Sequence, residues 1–227
     1  KLAWESMERD GNEADKVRLF VADLETGEKK DFTTAFDNNV AGLNWSADGK
    51  SIYFISNIQA TEEIMRLDLA DGSIARLTDG THDYLNVAIA GEKLVAQKVS
   101  MSQPAEIFLV DPITGKDEAL TSINKGILEQ LTFGKVEERW LKTTDGKQMQ
   151  TWVIYPPHFD PSKKYPTLLY CQGGPQSTVS QFFSYRWNFQ LMAANGYIIV
   201  APNRRGLPSF GTAWNREISG DWGGQCM

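Results

Sequence analysis

Pro166-Thr167-Leu168-Leu169-Tyr170-Cys171-Gln172-Gly173-Gly174-Pro175 decides how the rest of the chain is read. From Thr167 to Cys171 apolar side chains run without strict alternation, the pattern of a parallel strand buried on both faces. Tyr197 to Ala201 is a second run of the same kind. Between them Trp187, Leu191 and Ala194 stand at i, i+4 and i+7, which predicts a helix burying that face, and Gly196 follows as its stop. Strand, helix and parallel strand form a βαβ unit, so an α/β sheet starts in this half of the chain. Just ahead, Val136 to Lys142 and Met149 to Tyr155 predict a hairpin around Asp145-Gly146, closed by Pro156-Pro157.

Upstream the texture changes and repeats. Asp23-Leu24-Glu25-Thr26-Gly27 returns as Asp68-Leu69-Ala70-Asp71-Gly72 after 45 residues, and as Asp111-Pro112-Ile113-Thr114-Gly115 after 43 more. Each copy follows a short apolar or alternating run and precedes another. Leu43-Asn44-Trp45 and Ile52-Tyr53-Phe54-Ile55 flank Asp48-Gly49, which predicts a hairpin with a type I′ turn and core aromatics at strand spacing. A period near 44 with about four short strands per unit describes propeller blades, and a β-sandwich is the competing reading. Three units are too few for a ring, so a propeller would begin before Lys1. Glu8-Arg9-Asp10 to Asp15-Lys16 reads as a solvated loop between blade strands.

Composition narrows the class. With 23 basic and 29 acidic residues the net charge is −6, and the chain has no basic block, which disfavours nucleic acid and anionic membranes as partners. The longest apolar run, Tyr197 to Ala201, falls far short of the roughly 20 residues that span a bilayer. Cys171 and Cys226 cannot build a disulfide scaffold, and Cys171 reads as a buried strand residue. His82 and His158 offer no zinc spacing, so no metal is expected. The Asn44-to-Gly49 stretch has Ile55 where a calcium loop needs Glu, and Thr212-Ala213 after Gly211 rules out a phosphate loop.

Gln172, Gly173 and Gly174 sit at the carboxyl end of the first buried run, where open α/β sheets place their sites. Glycines there let backbone N–H groups approach a ligand, although a plain tight turn would use the same residues. In α/β-hydrolases this loop donates one N–H to the oxyanion hole.

Taken in order, Pro166 to Pro175, Trp187, Ala194 to Val200, Arg204-Arg205-Gly206 and Gly220-Asp221-Trp222-Gly223 resemble the prolyl oligopeptidase family of serine peptidases. The resemblance implies the last blades of a β-propeller over 1–130, followed by the N-terminal part of an α/β-hydrolase domain over 131–227. It implies a serine exopeptidase, a dipeptidyl peptidase acting on oligopeptides, with no cofactor and a periplasmic or secreted location. An esterase of the same fold and a non-catalytic propeller module are the alternatives. Gly173 and Gly174 match the loop that donates an oxyanion N–H. Gln172 stands where some relatives have Tyr and others His, and either donates its amide or shapes the loop. Asn203 replaces an Asp usual in that segment, and Asn203, Arg204 and Arg205 read as support for the loop.

The nucleophile itself is missing. No serine has Gly at both −2 and +2; Ser209 comes nearest, with Gly211 at +2 but Leu207 at −2. His82 and His158 precede every serine of the α/β segment proper and read as surface loop residues. The triad of Ser, Asp and His is therefore expected after Met227, and the chain alone is expected to be inactive.

Overall fold

The structure, a computed structural model, describes residues 1–174 and 176–224. Its first half is built of antiparallel units laid side by side. The first holds β1 (Leu2–Ser6), β2 (Arg18–Ala22) and β3 (Lys29–Asp31). The second is a four-stranded meander of β4 (Ala41–Trp45), β5 (Ser51–Ile58), β6 (Thr61–Asp68) and β7 (Ile74–Arg76). The third repeats it with β8 (Asp83–Ala90), β9 (Lys93–Ser100), β10 (Gln103–Val110) and β11 (Asp117–Ala119). One parallel bridge, Glu62 to Asp83, links the two meanders. Four-stranded meanders are the units of a propeller, and no closed ring forms among the described residues.

The Asp…Gly repeat is the turn between the last two strands of each unit. Asp23, Asp68 and Asp111 each accept, through Oδ1, the backbone N–H two residues on, at 3.0, 2.9 and 3.1 Å. Gly27, Gly72 and Gly115 lie at φ +76°, +78° and +68° and donate back to the Asp carbonyl, each at 2.9 Å. A second repeat escaped the sequence reading. The hydroxyls of Thr33, Thr78 and Thr121 accept the N–H groups of Leu19, Ile64 and Ile107 at 3.0, 3.0 and 2.9 Å. They satisfy strand donors at the point where the short outer strand ends.

Two expectations change. The turn at Asp48-Gly49 is not type I′, because Gly49 (φ +68°) alone is left-handed there and its N–H closes on Ser46. The left-handed pair occurs instead at Gln59-Ala60, φ +49° and +63°, between β5 and β6. The run from Glu8 to Lys16 is a loop between β1 and β2, exposed over Glu8 to Gly11 and at Glu13 but not solvated throughout. Asp15 is buried and takes three donors of Arg9, while Lys16 Nζ donates to the carbonyls of Thr33 and Phe36 at 2.7 and 2.6 Å.

After α1 (Lys125–Leu128), a mixed sheet forms from β12 (Val136–Lys142), β13 (Gln148–Ile154), β14 (Thr167–Leu169) and β15 (Ile198–Pro202), in the order β12-β13-β15-β14. β14 and β15 are parallel, with Leu168 opposite Ile199, and α2 (Phe189–Ala194) crosses between them. The βαβ unit is present, with two corrections. β14 is exposed rather than buried, as is Cys171 beyond it, because β14 is the sheet edge and nothing among the described residues covers it. α2 starts after Trp187, with Asn188 Oδ1 accepting the Leu191 N–H at 2.9 Å. That start rotates the buried face to Phe189, Gln190 and Ala193 and leaves Leu191 exposed. Gly196, φ +87°, does end the helix.

The two halves share one core. Ala60 and Met101, at hairpin tips of the meanders, pack with Trp152, Ile154, Val179 and Phe189. Ser209, itself at φ +91° just before α3 (Thr212–Arg216), accepts the Ala60 N–H on its Oγ at 2.7 Å and the Gln59 N–H on its carbonyl at 3.0 Å.

Gly27 and Gly115 separate strain from collision. A Cβ on Gly27 meets nothing within 4 Å, whereas on Gly115 it would lie 1.8 Å from the Leu77 carbonyl oxygen of the neighbouring meander. Gly27→Ala is expected to cost about 1 kcal/mol from the left-handed backbone alone. Gly115→Ala should cost at least twice that, read from urea unfolding midpoints. Equal losses would show that the turn, and not the contact between meanders, sets the penalty.

Candidate functional site

Past β14 the chain turns through Tyr170, whose ring stands edge-on to Phe189 at 4.8 Å, into Gln172, Gly173 and Gly174. Gly174 has φ +84°, a conformation that favours glycine, and a Cβ on Gly173 would point into open space. Neither glycine N–H has an internal hydrogen-bond partner among the described residues, so both donors remain for water or a ligand. Pro175, the end of the Gln-Gly-Gly-Pro motif, and Cys226, the second cysteine, lie outside the described residues.

Gln172 closes its own loop. Its Nε2 donates to Ser177 Oγ at 3.1 Å, and its backbone carbonyl accepts Arg204 Nη2 at 3.3 Å. Its Oε1 is buried without a partner. Arg205 reaches Asp145 on the β12–β13 turn at 2.8 Å and Glu217 after α3 at 3.4 Å, and lies over the Trp214 ring. The Thr143 hydroxyl, and then Arg205, hold Asp145 down at about 2. Asn203, fully buried, braces the segment after the loop. Its Oδ1 accepts the Val179 N–H at 2.8 Å, and its Nδ2 donates to the Val179 carbonyl at 2.9 Å and to Gln150 Oε1 at 2.6 Å.

A cavity of about 410 Å³ opens between this loop and the β5–β6 hairpin, lined by Asn57 and Glu62 on one side and Gln172, Gln176, Ser180 and Phe182 on the other. A larger cleft of about 680 Å³ lies elsewhere, among turns such as Ser46–Ser51 and Gly91–Leu94, and has no orphaned polar atom in its lining. In the smaller cavity Asn57 Nδ2 donates to Glu62 Oε1, and Asn57 Oδ1 is buried and unpartnered like Gln172 Oε1. Burial pushes Glu62 up to about 7, assisted by the charges of Asp83 and Glu63 and opposed by Asn57. A carboxylate beside two orphaned carbonyl oxygens suits a ligand group rich in N–H donors.

Sequence reading missed Asn57, Glu62 and Asp83. The signal lay in Glu62-Glu63 running straight into the apolar Ile64-Met65, because adjacent strand residues face opposite sides and both sides of β6 are largely covered. His82 is not a surface residue. It is half-buried, 3.5 Å from Glu63 and edge-on to Tyr84, because the bridge at Asp83 draws it between the meanders. His158 is exposed at φ +58°. Ser209 Oγ is committed to Ala60 and neither histidine is hydrogen-bonded to it, so it forms no nucleophile–base pair.

Side-by-side meanders packed on an α/β layer, with the Gln172 loop facing them across a cavity, form a fold shared with solved structures. Pyrococcus horikoshii acylaminoacyl peptidase shares this fold at a TM-score of 0.80 and 23% identity, covering 95% of this chain and 32% of that one. Residues 183–227 match the prolyl oligopeptidase family. Over 226 residues the chain is 50% identical to dipeptidyl-peptidase 5 of Porphyromonas gingivalis and 51% identical to that of Porphyromonas endodontalis, covering 100% of this chain and 33% of each relative. The family match thus covers residues 183–227, and the chain spans about a third of the length of the curated relatives it matches. Among the described residues no helix is long and apolar enough to cross a membrane.

Glu62 gives a measurable pH signature. The folded state holds its proton more tightly than the unfolded chain, so its stabilising contribution is complete below pH 4.5 and is lost as pH rises through about 7. Glu62→Gln should therefore raise stability at pH 8 by on the order of 1–3 kcal/mol and change little at pH 4. Urea midpoints at the two pH values check this, and equal shifts at both would place Glu62 in ordinary solvent.

Proposed function

We propose that the chain is the junction of a longer serine exopeptidase that releases dipeptides from the N-termini of oligopeptides. In this reading residues 1–130 are propeller blades and 131–227 open the α/β-hydrolase domain. The observation that carries it is the cavity lined by both Gln172 and Glu62, within a sequence half identical to two dipeptidyl-peptidase 5 proteins. Backbone N–H groups of Gly173 and Gly174 serve the oxyanion, and Gln172 shapes the loop by giving one amide N–H to Ser177 and its backbone carbonyl to Arg204. Arg204 supports the loop through the Gln172 carbonyl, and Arg205 secures the flanking turn and α3. An enzyme that counts two residues from a peptide's start must read the free ammonium. Glu62, with Asn57 and Gln172 offering carbonyl oxygens, supplies acceptors in the cavity that Gln172 of the loop also lines.

The sequence contains no Gly-x-Ser-x-Gly, so nucleophile and base come from further sequence in this reading. The polypeptide of the longer reading frame that includes this chain is expected to release dipeptidyl fluorophores, and residues 1–227 alone to release none. A longer polypeptide that hydrolyses short acyl esters but no dipeptidyl substrate would replace the reading with an esterase. In the active polypeptide, Glu62→Gln should lower kcat/KM for free-amine substrates roughly 10- to 100-fold, the worth of a charge-assisted hydrogen bond. Equal losses on N-acetylated substrates would remove Glu62 from amine recognition.

A further inference from the structure

We propose that Asp83 is a positioning residue for the loop carrying Gln172, Gly173 and Gly174, fixing it from the meander side through Ser180 and Gln181. Its relevance to catalysis rests on the oxyanion reading of that loop.

Segment 176–181 is held on both flanks. Asn203 grips Val179 by both its N–H and its carbonyl, and Trp152 Nε1 adds a bond to the same carbonyl at 3.0 Å. From the opposite side Asp83 Oδ2 accepts Ser180 Oγ at 2.6 Å, and the Asp83 carboxylate also takes the Gln181 N–H. Ser177, three residues before Ser180, receives Gln172 Nε2. A continuous line of bonded residues therefore runs from the bridge between the two meanders to the glycine loop. The line lies across the wall of the cavity that Ser180 and Gln172 both form.

Asp83 is wholly buried, which is costly for a carboxylate unless donors converge on it. Three do: Ser180 Oγ, the Gln181 N–H, and the Glu62 N–H on Oδ1 at 3.0 Å. The ionised group accepts all three, whereas a protonated one turns an oxygen into a donor facing donors. The charged groups facing it are Glu62 and Glu63 of β6. His82 is directed at Glu63, Lys98 of β9 at Asp117, and residues 176–181 contribute no ionisable side chain. Burial raises Asp83 to about 6 against the pull of its donors, so the loop should loosen below that pH.

The test follows the backbone amides of Gly173, Gly174 and Ser177 by NMR in the whole chain. Their shifts should pass through an inflection near pH 6 that disappears in Asp83→Asn and persists in Glu62→Gln. Ser180→Ala removes one bond and leaves the carboxylate in place, and should speed amide exchange at Val179, whose N–H is held by Asn203 Oδ1, roughly tenfold. An inflection surviving in Asp83→Asn, or unchanged exchange in Ser180→Ala, overturns the proposal. The Ser180 variant decides the matter if Asp83→Asn fails to fold. Because loop order is measured and not turnover, a failure here leaves the peptidase reading standing, and the reverse also holds.

Discussion

The buried hydrogen bond between the Ala60 N–H and Ser209 Oγ marks the constraint on which the arrangement turns. Ala60 is completely enclosed, and three residues around the bond, Gln59, Ala60 and Ser209, carry left-handed backbones without being glycine. Each such residue costs on the order of 1–2 kcal/mol, a cost that persists only where packing over-determines the geometry. Here the hairpin tip enters the same apolar cluster as Trp152, Val179 and Phe189, so loss of either half exposes the other's core. The cavity beside Glu62 has fixed dimensions because the β5–β6 hairpin that forms one wall is anchored on the α/β side.

Three neighbouring carboxylates show how donors decide the state of a buried acid. Burial opposes ionisation of Glu63, yet His82, Thr78 and Arg76 outweigh it and hold the group below its usual range. Asp83 has three donors and no cation, and settles near 6. Glu62, with only Asn57 donating to it, rises to about 7. The acid with the fewest donors is the one that lines the cavity, where a cationic ligand would supply the missing partner and favour the ionised form.

Much of this was legible in the sequence because periodicity and turn chemistry are local. The Asp…Gly turns, the hairpin at Gly146 and the βαβ order all follow from residues a few places apart. The misreadings are those that depend on distant partners. Leu168, Leu169 and Cys171 look buried by composition, but strand exposure depends on what lies across the sheet. Asn188 overrode the apolar spacing of Trp187 and Leu191 by capping the helix one residue later. Asp15 looked solvated until Arg9 and Arg216 closed on it. In the site, Gln172, Gly173 and Gly174 were found by their place after a strand, whereas Asn57, Glu62 and Asp83 reach it through the long-range packing of two sheets.

β14 carries a consequence for handling the protein. Its outer side presents main-chain donors and acceptors unmatched among the described residues, beneath exposed Leu168 and Leu169. Such a rim is a template for other strands, and it lacks the lysines or prolines that commonly blunt one. Protein concentration will therefore govern the colloidal behaviour of the isolated polypeptide as strongly as temperature does. A charged residue in place of Leu169 is the natural choice for keeping it dispersed.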